Sequence, residues 1–289
     1  MQKNTQWQVR VSPTLGDLED THQNIWGTIP YPNTKDGIVN DDFNELPTVF
    51  FGCYGLPDFW RVYRHGGKKA ILWAGTDILH LKNHYWLEEG GGIRVDNKGI
   101  CEWLDKYVEN WVENESECNE LKKLGIKSKI CPSFLGDVNK FEVSFKPGNK
   151  LYTSVSGDDF ERYRWWRAFA LADENPKIEF HFYGNTKEMI SSLNNVVIHG
   201  RVSKEQMNEE IKKMQGCLRL IEIEGFSEIV AKAMLMGQYP VSAIEYPHTL
   251  KVSEVGKILE IKEPNLKGRK WVLKIINQYP WNAKITTNN

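Results

Sequence analysis

Short apolar runs that stop at a glycine recur along this chain, and most are followed by a stretch with helical spacing. In the first half they are "TVFFGCY" (48–54) and "KKAILWAGTD" (68–77); in the second half "LYTSVSG", "IEFHFYGN", "NVVIHGRV" and "CLRLIEI". A strand covered on both faces reads as a continuous apolar run, whereas a half-exposed strand alternates. Buried strands alternating with helices leave few solutions, chiefly a parallel sheet with helices on both faces. The expected fold class is therefore α/β, repeated in two Rossmann-like units.

The first unit supplies one strand, helix, strand step, because "LPDFWRVYRHGG" sets Phe59, Trp60 and Tyr63 at helical spacing before a Gly-Gly stop. "KYVENWVENESECNELKKLGI" can be read as one long helix, or as a strand near Tyr107 to Val112 and then a helix. Asn114 with Glu117 in capping-box spacing, and Gly125 at a helix end, favour the second. "KSKICPSFLGD" is the next strand and the exit. Pro147 and Gly148 mark the boundary, giving residues 1–146 as the first unit and 147–269 as the second.

In the second unit "DFERYRWWRAFALADENP", "KEMISSLNN", "SKEQMNEEIKKMQG" and residues 228–236 are expected helices, the third opened by Ser203 and Gln206. "KGRKWVLKIINQYPWN" (267–282) is another, and the segment 270–289 is expected to pack back on the first unit. The first 45 residues carry no assignable pattern.

The chain has 289 residues, 37 basic and 38 acidic, for a net charge of −1. No global field draws it to a polyanion, which weakly disfavours a nucleic-acid acceptor. No apolar run is long enough to span a bilayer and the polar start does not read as a signal peptide, so a cytoplasmic protein is expected. The five cysteines are scattered and read as reduced packing thiols. Of the eleven tryptophans most are assigned to the core, although "RYRWWRAF" has the chemistry to stack on sugars or bases.

In an open parallel sheet, ligands sit at the carboxyl ends of the strands. Four loops of the second unit stand there: "SGDDFERYR" with Gly157, "YGNT" with Gly184, "HGRVS" with Arg201 and Val202, and "EIEGFSE". Arg162, Arg164 and Arg167 read as the opening turns of a helix, suited to phosphate oxygens or else part of a solvated face. Gly225, Phe226 and Ser227 precede a helix, where free amides favour an anion; Ser227 alternatively only caps it. "GDD" (157–159) reads as a helix-start cap and not as a metal motif. In the first unit Gly75, Thr76 and Asp77 end a buried strand. Asp77 is positioned either to orient or deprotonate an acceptor hydroxyl, or to cap the next helix.

Taken together, "HGRVSKEQM" and "EGFSEIVAKAMLMGQYPV" resemble the C-terminal domain of GT-B glycosyltransferases, most of all the retaining, nucleotide-sugar-dependent family 4. The shared positions are Gly200, Val202, Glu224, Gly225, Phe226, Ala233, Met234, Gly237, Pro240 and Val241. The resemblance implies two Rossmann-like domains facing a cleft. It also implies sugar transfer from a nucleotide-diphosphate sugar to an unidentified acceptor hydroxyl, with retention, without metal and with no cofactor beyond that co-substrate.

By the same resemblance Glu224 binds hydroxyls of the donor sugar, and the amides of Gly225, Phe226 and Ser227 approach its diphosphate. Arg162, or Arg164 in its place, meets the phosphates; backbone at Arg201 and Val202 meets the base; Gly184 lies on the cleft floor. The departure is Lys232, where relatives usually carry a second Glu that accepts bonds from ribose hydroxyls. A charged lysine only donates, so Lys232 either pairs with Glu228 one helical turn away or touches the nucleotide differently. The departure keeps open a second reading, a catalytically silent relative that binds a nucleotide or sugar as a partner module. An unrelated dehydrogenase is disfavoured, since no Gly-x-Gly-x-x-Gly follows an expected strand.

Overall fold

The computed structural model describes residues 8–12, 14–15, 29–30, 47–84, 97–134, 138–222 and 224–276. The chain divides into two compact units. One comprises Met1–Gly136, Ile223–Phe226 and Ile275–Asn289; the other comprises Asp137–Glu222 and Ser227–Lys274.

The first unit carries β1 (Gln8–Val11), β2 (Ile29–Pro30), β3 (Thr48–Phe51), β4 (Lys69–Leu72), β5 (Glu109–Val112) and β6 (Lys129–Ile130). They pair in parallel in the order β2-β1-β3-β4-β5-β6. Every residue of β3 is buried, which is why that run shows no alternation. The helices are α1 (Leu56–Arg64), α2 (Thr76–Lys82), α3 (Asn97–Tyr107) and α4 (Glu115–Lys123). Their apolar stripes meet the sheet in a core that includes Phe50, Phe59, Ile71, Trp73, Ile78, Leu104 and Leu121. The ambiguous "KYVENWV" run resolves as helix end and then strand. Asn114 caps α4, its Oδ1 accepting the Glu117 amide at 3.0 Å. β1, in a segment without a recognisable pattern, lies between β2 and β3 in the sheet.

The second unit has β7 (Lys150–Ser154), β8 (Glu179–Tyr183), β9 (Val196–Gly200), β10 (Gly216–Arg219), β11 (Val241–Ser242) and β12 (Leu250–Lys251). All pair in parallel, in the order β12-β11-β10-β7-β8-β9. α5 (Trp165–Glu174), α6 (Lys204–Ile211), α7 (Glu228–Leu235), a 3-10 segment (Val252–Leu259) and α8 (Leu266–Ile276) complete it. α5 docks through aromatic rings: Phe169 stacks on Phe182 at 4.5 Å and Trp165 meets Phe182 edge-on at 5.0 Å. Each such pair adds about 0.5–1.5 kcal/mol beyond the area it buries.

Two expected helices differ. The helix expected from Asp159 opens only at Trp165, because Arg164 adopts a left-handed conformation at φ +52° that no helix can run through. Arg162 and Arg164 therefore lie in the preceding turns, and only Arg167 is on the helix. "KEMISSLNN" forms no helix at all. Ser191 and Asn195 spend their side chains on backbone groups instead, Ser191 Oγ on the Leu193 amide and Asn195 Nδ2 on the carbonyls of Ala172 and Ile178. The last expected helix is seen to Ile276, and residues 277–289 lie outside those described.

Candidate functional site

In the second unit the chain moves from β7 to β8 to β9 on one side and then crosses back to place β10 on the other side of β7. Strand order reverses between β7 and β10, so the loops leaving them flank the place where an open α/β sheet forms its crevice. The loop after β7 holds Gly157, at φ +63°, with Arg162 and Arg164. Arg164 donates both guanidinium nitrogens to Glu222 at 2.6 and 2.7 Å, which ties that loop to the one after β10.

The neighbouring loops are held from below. Gly184 has φ +93°, and a Cβ there would lie 2.2 Å from the Val155 carbonyl, so only glycine lets β8 exit past the β7 loop. Its amide donates to the Gly200 carbonyl at the end of β9. Arg201 is exposed and Val202 half-buried just beyond. In the "GDD" stretch Asp159 accepts the Arg162 amide at 3.2 Å, as a turn cap, while Asp158 accepts the Thr186 amide at 2.7 Å and the Thr186 hydroxyl. Those bonds hold the Asp158 carboxyl below its usual range.

Ser227 stands at the N-cap position of α7, yet its hydroxyl makes no capping bond. It is 4% exposed and its Oγ has no hydrogen-bond partner. A buried hydroxyl without a partner costs about 1–3 kcal/mol, and here it is placed at the positive end of a helix dipole. Further along α7, Lys232 pairs with Glu228 at 3.1 Å and lies 5.7 Å above the Phe141 ring.

In the first unit, the loops at the carboxyl ends of β4, β5 and β6 converge on Glu224, Gly225 and Phe226, which group with that unit. Glu113, just past β5, accepts the Phe226 amide through Oε2 at 2.9 Å. Its Oε1 takes the Ser133 amide at 2.8 Å and the Ser133 hydroxyl. Asn114 donates from Nδ2 to the Glu224 carbonyl at 2.5 Å. A Cβ on Gly225 would fall 1.6 Å from Glu113 Oε2, and one on Gly75 would fall 3.3 Å from the Glu224 backbone and 2.9 Å from Glu117 Oε1. The sequence-derived groups Gly75–Asp77 and Glu224–Phe226 are thus neighbours.

Asp77 does not cap the next helix. It is sealed from solvent and its oxygens accept the amides of Cys53, Ala74 and Ile78, so it ties the β3 and β4 loops together and has no oxygen turned to solvent. α2 starts from Gly75 instead. Burial pushes the Asp77 carboxyl up to about 7 against the pull of those amides. Burial likewise raises Glu113 to about 7, with the Glu224 charge adding to it. Glu117 is raised well above its usual range by burial and by Glu113; its Oε2 accepts the Glu113 amide at 2.7 Å while Oε1 is unpartnered.

Sequence reasoning missed Glu113 and Ser133 entirely, and read Asn114 and Glu117 only as a local cap. The available signal was the acidic doublet bracketing Asn114 directly after a strand. Among the described residues no group of three or more His, Cys, Asp or Glu is arranged to hold a metal ion. No described helix is long and apolar enough to cross a membrane.

Two all-parallel sheets wrapped by helices, each with its loops gathered at the carboxyl edge, define the class: the chain has the GT-B fold of glycosyltransferases. It is similar to the sucrose-phosphate synthase of Thermosynechococcus elongatus at a TM-score of 0.61 and 11% identity, over 97% of either chain. The apo lipopolysaccharide outer core galactosyltransferase WaaB gives 0.53 and 14%, over 96% of this chain and 98% of that one. A mutant of S. aureus TarM, crystallised with fondaparinux, alpha-GlcNAc-glycerol and UDP, gives 0.53 and 14% over 82% of this chain; the present chain spans only about half of TarM, 53%. No protein-family model matches the chain, and no curated protein matches it by sequence.

Proposed function

We propose that this protein is a glycosyltransferase that moves a sugar from a nucleotide-diphosphate donor to an acceptor hydroxyl, with retention and without a metal ion. One observation carries the reading: within a GT-B fold, the Ser227 hydroxyl is buried and unpartnered at the start of α7, beside the point where strand order reverses. A hydroxyl and free helix amides in that place suit an anion. That glycosyltransferases share the fold, one of them solved with UDP, supports a nucleoside diphosphate as that anion.

In this reading Ser227 and the first amides of α7 take the diphosphate, while Arg162 and Arg164 supply positive charge from the loop at Gly157. Dipole and guanidinium together offset the negative charge that develops on the departing diphosphate. Glu224 accepts hydroxyls of the donor sugar. The loops at Gly184, Arg201 and Val202 meet the base, the loop at Gly75 and Thr76 borders the acceptor, and Lys232 stays with Glu228. The Phe226 amide, already bonded to Glu113, supports the loop and is not assigned to the donor.

The test is release of free nucleoside diphosphate from a panel of uridine, guanosine, adenosine and thymidine diphosphate sugars, with simple glycosides as acceptors. One donor should turn over. Glu224→Ala should slow it about 10²–10³-fold, the scale of losing one group that acts on the transition state, with an unchanged melting temperature. Absence of turnover and of nucleoside diphosphate binding across the panel would overturn the reading.

A further inference from the structure

Glu224 is offered by a loop whose conformation is dictated from outside the loop. Two consecutive side chains, Glu113 and Asn114, take up two backbone groups of that loop: the Phe226 amide at 2.9 Å and the Glu224 carbonyl at 2.5 Å. Between them Gly225 leaves no room for a methyl group beside the Glu113 carboxyl, which closes on the backbone at a distance only glycine allows. The other Glu113 oxygen is anchored by the amide and hydroxyl of Ser133, beyond β6. All three groups facing the carboxyl are donors: two backbone amides and a hydroxyl. That constellation suits an ionised acceptor: the two amides can only donate, and an added proton on Glu113 finds an acceptor only where the Ser133 hydroxyl turns to receive it.

We propose that Glu113 is a positioning residue for Glu224, acting in its ionised form to lock the Glu224–Phe226 backbone through the Phe226 amide, with Asn114 holding the carbonyl on the other side. The role in catalysis rests on the glycosyltransferase reading; the lock itself does not. Protonation of Glu113 weakens the lock, so the loop is tighter above neutrality than below it. The titratable groups facing Glu113 are Glu224, Glu117 and Cys131: the Glu224 charge favours that proton, and the Glu113 charge in turn raises Glu117 and the Cys131 thiol. Ser133 opposes protonation of Glu113, as does the Phe226 amide.

The decisive measurement is a pH titration of the ¹⁵N-labelled chain between pH 5 and 9, without ligand. The Phe226 and Ser133 amide resonances should shift together with one midpoint near 7 and move upfield as the carboxylate is protonated. Glu113→Gln should abolish the titration at both amides. Ser133→Ala, which removes a donor that stabilises the ionised form, should move the midpoint upward and serves as the test if the first variant fails to fold. Resonances that stay flat across this range, or that titrate unchanged in either variant, overturn the lock. With a donor that turns over, Glu113→Gln should cut kcat at least 10-fold while the donor KM moves less than 3-fold, and Glu113→Asp should recover part of it. A titration as expected with kcat unaltered would retain the lock and remove its catalytic role, whereas absence of any turnover would count against the glycosyltransferase reading alone.

Discussion

The two carboxyl edges of this molecule are built on opposite plans. In the first unit the loops are closed: Asp77, Glu113 and Glu117 are buried, and among them and Asn114 they accept or donate to the backbone at Cys53, Ala74, Ile78, Ser133, Glu224 and Phe226. In the second unit the loops are open, with exposed Arg201, an exposed Arg164–Glu222 pair and a buried Ser227 hydroxyl without a partner. The first edge spends most of its buried polar groups on its own backbone, with Glu117 Oε1 left over; the second bonds its backbone through Asp158 and Asp159 but leaves the Ser227 hydroxyl unmatched. On the proposed function the first edge is a support and the second a receptor, since positioned catalytic groups work only when their supports are fixed beforehand.

Alanine at two glycines would separate the plans most sharply. Gly225→Ala drives a methyl into the Glu113 carboxyl, and Gly184→Ala drives one into the Val155 carbonyl at a positive φ. Each should cost about 3 kcal/mol or more, the range for strain at a special backbone position or a broken buried network. In calorimetry the first should lower the melting of the closed edge and the second that of the open edge, with transfer lost in both. A Gly225→Ala protein that melts like wild type would mean that Glu113 yields easily, and the closed plan would fail.

Acidity should act on the closed edge next. Asp77 and Glu113 are raised to about 7 and Glu117 well above its usual range, all by burial first. The folded chain therefore holds protons that the unfolded chain releases in the ordinary carboxyl range. Stability from these neutral acids is full below that range and is lost as pH rises through about 7, at about 1.4 kcal/mol for every tenfold weakening of a carboxylic acid on folding. Melting temperature should rise as pH falls from 8 to 5.5, because relief of the buried charges outweighs the weakened Glu113–Phe226 bond. Glu117→Gln keeps the acceptor for the Glu113 amide and removes the ionisation, so it should gain about 1 kcal/mol or more at pH 8 and flatten the profile. A wild-type profile that is already flat would show that the cluster is more hydrated than its burial implies.

The sequence made most of the fold readable, and of the candidate site only the residues, not the contacts that hold them. Buried runs such as "TVFF" and "AIL" announce parallel strands because both faces lack water, and Asn114 and Ser203 cap by rules that span three residues. What escaped is what depends on distant partners. Arg164 lies outside the helix and pairs with Glu222 58 residues away, and Glu113 matters because Phe226 arrives 113 residues later. Glu224 and Ser227 were singled out as candidates by a resemblance in spacing; the carboxylate that holds Glu224's loop belongs to a run that local spacing alone describes as helix or strand.

Within the open edge, Arg164→Gln should change stability by less than about 1 kcal/mol, because its pair with Glu222 is largely exposed and screened. If Arg164 belongs to the receptor, the same change should raise the donor KM about 10-fold, the order of one charge-assisted bond, and the effect should shrink in high salt. An unaltered KM would reduce Arg164 to a strut between two loops.

Lys232 gives the smallest effect and the finest discrimination. Its ammonium is already engaged, by Glu228 at 3.1 Å and by the face of Phe141 at 5.7 Å, and its side chain is 12% exposed. An i,i+4 pair on a helix is worth about 0.2–0.5 kcal/mol, and a cation over a ring about 0.5–1 kcal/mol at an exposed site. Lys232→Gln keeps the aliphatic stem against Phe141 and should destabilise by about 0.7–1.5 kcal/mol on those two figures, leaving the donor KM within 2-fold. Lys232→Glu sets a like charge against Glu228 and should cost more in stability. If it nonetheless lowered the donor KM, the substituted carboxylate would be accepting hydroxyls that the lysine cannot, and position 232 would lie in the receptor after all. A KM unmoved by either substitution would leave Lys232 a structural residue of α7.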